Sequence, residues 1–294
     1  MEASSHVLTE ANRSNRAEWR SFSESISGAS VLSVPNALQE MIQLLGVTQR
    51  CGDSSIECAP IAVVRLRQHE ILLREGASGR GFYVVRSGSF KSVQMLEDGY
   101  EQVISFSQPG DLLGFESLHG GPWRSTAVAL EVSTVFELPT GELPELHRQC
   151  PPLEQAVCHA LSRQLARAGD AAGMALAVAS EARVGRFILW LSERMVEAGR
   201  SPFRLRLRMS RREIASLLGL AHETVSRSFT LLAEIGCLRI ENRDVEILDM
   251  QMLRERARIT RGLQGEGGRH RHEVGVSDVR ARCAWWGESM PISA

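Results

Sequence analysis

Apolar and polar positions follow two different rhythms along this chain. From Ile61 to Leu138 the apolar residues come in short β-rich runs, namely Ile61–Leu66, Gly81–Val85, Ser89–Val93, Gln102–Phe106 and Ser133–Leu138, separated by glycine turns. Arg86-Ser-Gly88, Glu97-Asp-Gly99 and Gln108-Pro-Gly-Asp111 are hairpin-type turn signals, so this stretch predicts a β-sandwich or jelly roll. From Pro151 to Ala179 the rhythm changes to intervals of three and four, with Leu153, Ala156, Val157, Ala160, Leu161, Leu165, Ala168, Ala172, Ala175, Leu176 and Ala179 forming one stripe. One long helix follows from that spacing, packed either on its own sheet domain or against a second copy of itself. Asn36–Val47 predicts a short amphipathic helix, and Glu181–Glu197 another that buries Phe187, Ile188, Trp190 and Leu191.

Met209 to Ile235 predicts two short helices joined by a tight turn. Ser210 with Glu213 three residues later is a capping box, and Ile214, Ala215, Leu217 and Leu218 supply an apolar face. Gly219 closes the first helix with the positive φ that the turn requires, and Ala215 is small where the helices cross. The second helix starts near Ala221; Val225, Phe229, Leu232 and Ile235 face inward, which leaves His222, Glu223, Thr224, Ser226 and Arg227 for an outside partner. Arginine reads guanine, a carboxylate accepts from the cytosine amino group, and serine suits a base edge or a phosphate. Glu223 and Arg227 are also spaced for a plain helical surface salt bridge. Cys237–Ile240, the polar turn Glu241–Asp244 and Val245–Leu248 predict a β-hairpin, hence a winged helix-turn-helix.

With SRREIASLLGLAHETVSRSF inside it, the segment from Glu181 to about Leu253 resembles the DNA-binding domain of the CRP/FNR regulator superfamily. The E-x-x-S-R pattern of Glu223, Ser226 and Arg227 is similar to the FNR branch, whose recognition helix reads TTGAT-like half-sites; the CRP branch has Arg before the Glu and Gly at the Ser position, where this chain has His222 and Ser226. Upstream, Arg74–Lys91 and Pro109–Leu118 resemble the cyclic-nucleotide-binding type of β-roll. The resemblance implies an α+β chain in five parts: an arm over 1–45, a β-roll effector domain over 46–150, a dimerisation helix over 151–180, the winged helix-turn-helix over 181–253, and a tail over 254–294. It implies a homodimer on a palindromic double-stranded DNA site, with RNA polymerase as a further partner. The other function class is a ligand-binding regulatory module without DNA binding, which leaves the capped helix pair, the wing and the arginines unexplained.

Composition changes this picture little. The chain has 294 residues, 43% hydrophobic and 23% charged, with a net charge of −1, enough for two ordinary domains. Neutrality overall conceals a local excess, since Arg183 to Arg261 holds sixteen Arg against ten Asp plus Glu. Arg204, Arg206, Arg208, Arg211 and Arg212 gather before and at the first motif helix, where they suit phosphate contacts or, for the first three, the solvated face of a strand. Lys91 is the single lysine. The first residues lack the apolar core of a signal peptide and no run is long enough to span a bilayer, so a cytoplasmic protein without a membrane partner is expected. No P-loop, G-x-S-x-G, H-E-x-x-H or dinucleotide fingerprint occurs, which argues against an enzyme. Both termini predict disorder.

Three effector chemistries each lack part of their residue set and all three stay open, so no cofactor is assigned. By the resemblance, a cyclic nucleotide wants a ribose-binding carboxylate and a phosphate-binding arginine. Gly114-Phe-Glu-Ser117 puts Phe115 where the carboxylate belongs and displaces Glu116 by one, turning it to the other face if the segment is a strand. Arg124-Ser125 survives at the phosphate position, which makes Gly114, Glu116, Arg124 and Ser125 the candidate effector pocket. An FNR-type [4Fe–4S] cluster needs four thiolates, but of six cysteines only Cys51 and Cys58 fall in the stretch Arg50–Cys58 that resembles the FNR cysteine-rich segment, and the internal ligand position near Val135-Phe136 holds none. Cys51 and Cys58 could instead form a redox pair. Haem would need His69 or His119; His270, His272 and Cys283 fit no zinc template, so no metal residue is assigned.

Overall fold

The alternating runs of the first half fold into two facing antiparallel sheets. A computed structural model describes residues 30–32, 36–49, 61–175 and 179–258, all inside one compact unit that runs to Arg261. In chain order the first part holds β1 (Ser30–Leu32), α1 (Ala37–Leu44), β2 (Ala62–Leu66), β3 (Ile71–Leu73), β4 (Gly81–Ser87), β5 (Phe90–Met95) and β6 (Glu101–Ser107). It continues with β7 (Leu112–Leu113), a 3-10 helix (Phe115–His119), β8 (Thr126–Ala129) and β9 (Ser133–Pro139). The helices α2 (Leu143–Gln149), α3 (Pro151–Ala175) and α4 (Ser180–Glu197) lead to β10 (Arg204–Arg206), α5 (Arg211–Leu218), α6 (His222–Glu234), β11 (Leu238–Glu241), β12 (Asp244–Ile247) and α7 (Met250–Arg258). The sheets run β1-β2-β9-β4-β7 and β3-β8-β5-β6, with β10-β12-β11 as the wing sheet.

Period-two geometry sorts the strand residues. Val64, Tyr83, Val85 and Val135 point between the two sheets with Leu73, Phe90 and Trp123. Their neighbours Val63, Phe82, Val84, Phe136 and Leu138 point the other way, against Leu38, Met41 and Ile42 of α1 and Leu153, Ala156 and Val157 of α3. Because the five-stranded sheet is covered on both faces, Phe82–Val85 reads as an unbroken apolar run.

Several boundaries differ from the sequence reading. β1 pairs with β2 through Val31 opposite Val64, so part of the presumed arm belongs to the roll. The winged-helix part continues past Leu253 through α7, whose Ala257 lies on Gly185 of α4; a Cβ there would sit 3.4 Å from that of Ala257. Trp190, expected in the core, is only half-buried. The stripe on α3 serves two ends: Leu153, Ala156, Val157 and Ala160 are buried on the roll, whereas Leu165 is 77% exposed. Ala168 and Ala172 are exposed with it. Ala179 begins beyond a gap, as 176–178 lie outside the described residues, together with Cys51, Cys58, His270, His272, Cys283 and most of the expected arm and tail.

Glu137, on β9, is the most buried acid among the described residues, 2% exposed and accepting from the Tyr83 hydroxyl at 3.3 Å. Burial pushes its carboxyl up to about 7, against the opposing pull of the Tyr83 bond, and its Oε2 has no protein partner. A folded-state pKa above the unfolded one means that stability is full below about 4.5 and is lost as pH rises through about 7; the shift corresponds to about 3 kcal/mol. Urea denaturation of Glu137→Gln against wild type should therefore show the wild type losing ground between pH 5 and 8, and parallel curves would contradict the assignment.

Candidate nucleic-acid interface

The helix pair forms as its local chemistry dictates. Ser210 Oγ accepts from the Glu213 N–H at 3.2 Å while Glu213 Oε2 accepts from the Ser210 N–H at 2.7 Å, completing the capping box. Gly219 ends α5 at φ 62°, ψ 42°, and α6 begins after Ala221. Ile214, Ala215 and Leu218 meet Val225, Phe229 and Leu232 in a core that α4 backs with Val184, Phe187, Ile188 and Leu191. Opposite that core, His222, Glu223 and Arg227 are exposed, and Thr224 and Ser226 are half-buried at the same face. Glu223 lies 3.9 Å from the His222 ring. Among the described residues no Glu223–Arg227 ion pair forms, so the surface-bridge alternative for Arg227 finds no support and its guanidinium faces outward.

The basic residues ahead of α6 divide. Ser210 and Arg212 are exposed at the N-terminal end of α5, where backbone N–H groups favour a phosphate. Arg211, expected at the same surface, instead lays its guanidinium 3.4 Å over the Phe229 ring. Burial holds its pKa down to about 10, and its Nη1 has no protein hydrogen-bond partner. β10 has Leu205 buried and Arg204 and Arg206 exposed, which is the solvated strand face; Arg204 lies 3.5 Å from Glu246. Arg208 reaches back to Glu131 on the roll at 3.2 Å.

A second feature lies between the domains. A cavity of about 770 Å³ is walled by Gly114, Phe115, Glu116, Arg124 and Ser125 of the roll, Gln164 and Arg167 of α3, and Trp190, Arg194 and Leu217 of the winged-helix part. All four candidate pocket residues thus come together. The segment is a 3-10 helix rather than a strand, so Phe115 and Glu116 both line the cavity; successive residues on such a helix are about a third of a turn apart, not opposed. Gly114 has φ 70°, and a Cβ there would fall 2.8 Å from Trp123 Nε1, so the close approach requires glycine. Glu116 Oε1 accepts from the backbone N–H of Arg124 at 3.2 Å, which sets a carboxylate beside the arginine.

Residues 63–150 match the model of the cyclic nucleotide-binding domain and residues 182–256 that of the Crp-like helix-turn-helix domain. The chain is 31% identical over 242 residues to the fumarate and nitrate reduction regulatory protein of Escherichia coli K12, covering 76% of this chain and 96% of that one. It belongs to the CRP/FNR family of transcription regulators. The transcriptional activator protein Anr of Pseudomonas aeruginosa is 34% identical over 184 residues, 63% of this chain and 75% of its own. Among solved structures, FixK2 of Bradyrhizobium japonicum aligns with a TM-score of 0.57 at 28% identity, over 66% of this chain and 96% of that one.

Two departures mark this CRP/FNR regulator. By the resemblance Phe115 stands at the ribose-carboxylate position, and the Glu116 carboxylate that lines the cavity is engaged by the Arg124 backbone N–H rather than by its guanidinium. Val135 and Phe136, at the internal cluster-ligand position, are wholly buried hydrophobics, which gives an FNR-type cluster no thiolate there. His69, at φ 69°, and His119 are both exposed, and His119 is part of the cavity wall. Sequence reading missed the residues that join the domains: Lys91, Gln102, Asp111, Glu131, Arg167, Arg194 and Ser216. The solitary lysine was the one visible signal among them.

Arg211 and Arg212 make contrasting predictions. Arg211→Ala should lower unfolding free energy by roughly 1–2 kcal/mol through the lost ring contact and buried stem, whereas Arg212→Ala should stay within about 0.5 kcal/mol of wild type. Equal thermal stability of both variants would return Arg211 to the set of free phosphate ligands.

Proposed function

We propose that this regulator binds, as a homodimer, a palindromic DNA site with TTGAT-like half-sites, inserting α6 of each copy into the major groove. The observation that carries the reading is the outward face of α6, where Glu223, Ser226 and Arg227 stand together with Arg227 outside any internal ion pair. His222 and Thr224 flank that face, and Ser210 and Arg212 serve the phosphate backbone from the start of α5; Arg211 supports the motif from within. The second copy covers the exposed end of the α3 stripe, since Leu165 at 77% exposure and Ala168 and Ala172 one and two turns on form an apolar seam. Two-fold pairing there matches the symmetry of a palindrome. RNA polymerase is the further partner through which bound DNA would be read out. A cytoplasmic location is consistent with this role, and among the described residues no helix is long and apolar enough to cross a membrane.

The cavity between roll, α3 and winged helix is the effector site of this reading, with Gly114, Glu116, Arg124 and Ser125 in its wall. Cyclic nucleotide, haem and an FNR-type iron–sulfur cluster each lack part of their residue set here, and no occupant is assigned.

Selection of bound sequences from a random duplex pool tests the proposal, and it should return an inverted repeat. Arg227→Ala should bind the selected duplex about 1–3 kcal/mol more weakly and lose preference at one base per half-site. An unchanged consensus in that variant would remove Arg227 from the reading residues.

A further inference from the structure

β6 is an edge strand of the four-stranded sheet, and an uncovered edge presents unpaired N–H and C=O groups. Here α5 covers it. The Val103 N–H donates to Ser216 Oγ at 2.9 Å, and the Gln102 side chain donates to the Ser216 carbonyl as well as to the Val103 carbonyl at 3.0 Å. Ser216 is only 6% exposed. On the neighbouring strand, Lys91 Nζ lies 2.7 Å from Glu213, both side chains 20% exposed. Burial works against the Glu213 charge, but the bonds from Lys91 and Ser210 outweigh it and hold its carboxyl below the usual range. Arg208–Glu131 closes the same contact at 3.2 Å, and beneath it Val93, Val103 and Phe106 join the core of Ile214 and Leu218.

We propose that this contact is an autoinhibitory clasp, in which the roll grips the winged helix by its first motif helix and competes with DNA for its basic surface. The inference rests on the DNA-binding reading above. Three observations carry it. Arg208 is spent on Glu131, a carboxylate standing where a phosphate would otherwise be taken. Arg212 is adjacent to Glu213 and Ser210 is bonded to it three residues earlier, so the roll flanks the end of α5 that faces the backbone. The joint sets four buried roll side chains, Val93, Val103, Phe106 and Leu130, against the winged-helix core and rims them with hydrogen bonds and two ion pairs, the mixed polar and apolar character common at joints between domains of one chain. DNA that binds the released form more tightly must weaken the clasp, and by reciprocity weakening the clasp must tighten DNA binding.

Lys91→Ala is the decisive variant, since Lys91 belongs to the roll and its loss removes a positive charge. Plain electrostatics predicts weaker DNA binding; the clasp predicts tighter binding, at least about 5-fold, to a duplex chosen by the random-pool selection, measured with the full chain by fluorescence anisotropy. Glu131→Gln should act in the same direction. Hydrogen–deuterium exchange gives a readout without DNA: residues 101–107 should exchange faster in Lys91→Ala and in Ser216→Ala, and faster in the wild type once the duplex is added. Unchanged exchange in both variants would overturn the clasp. Faster exchange with equal or weaker DNA binding would overturn its inhibitory role. If no protein, wild type or variant, prefers any duplex, the DNA-binding reading fails and the inhibitory role with it, while exchange at 101–107 still reports separately on the contact.

Discussion

Asp111 holds the domains of this chain in register. Its carboxylate is 5% exposed and accepts from Arg167 of α3 and from Arg194 of α4, itself 5% exposed. The Gln108–Asp111 turn aims it, since Asp111 Oδ2 also accepts from the Gln108 N–H at 2.8 Å. Burial lowers the Arg194 pKa, with Asp111 countering it, and the same guanidinium lies 5.1 Å from the centre of the Trp190 ring. A buried charge deprived of one partner costs about 3–5 kcal/mol, so this join keeps α4 on the roll as a pivot even where the α5–β6 contact opens. One residue further, Gln164 completes the join by donating to the Leu112 carbonyl at 2.9 Å and accepting its N–H at 3.0 Å, as a neighbouring strand would.

From that constraint the rest follows. With α4 fixed on Asp111, the helix pair it supports lies beside β6, and the strand edge is covered by α5 while the polar face of α6 stays outward. The first half of α3 is used up on the five-stranded sheet; in its second half Ala171 and Met174 pack on the winged-helix core, while Leu165, Ala168 and Ala172 stay exposed. The cavity then forms where the three parts fail to close completely, which is why its wall draws on all of them.

The motif itself was legible because its determinants are local. Ser210 with Glu213, Gly219, and the three- and four-residue spacing of Val225, Phe229 and Leu232 all act within one or two turns, and each stands where the pattern put it. The strands Ala62–Leu66, Gly81–Ser87 and Ser133–Pro139 were legible for the same reason. β3, β7 and β8 were not, because two to four residues are too few to show a period. Arg211 looked like a phosphate ligand since nothing nearby in sequence reveals that Phe229, on the next helix, offers it a ring. Least visible were the joints between domains, where Lys91 and Glu213 are 122 positions apart and neither belongs to a pattern. Phe115–His119 is a 3-10 helix, and five residues are too few for the sequence alone to tell that geometry from the strand on which the displacement of Glu116 would matter.

The account stands or falls on whether two copies present α6 to one duplex. Hydroxyl-radical footprinting of the full chain on a selected site measures this directly. Two protected patches on one face of the DNA, about 34 Å or one helical turn apart and related by a dyad, are the predicted result. A single patch, or protection without sequence boundaries, would contradict it.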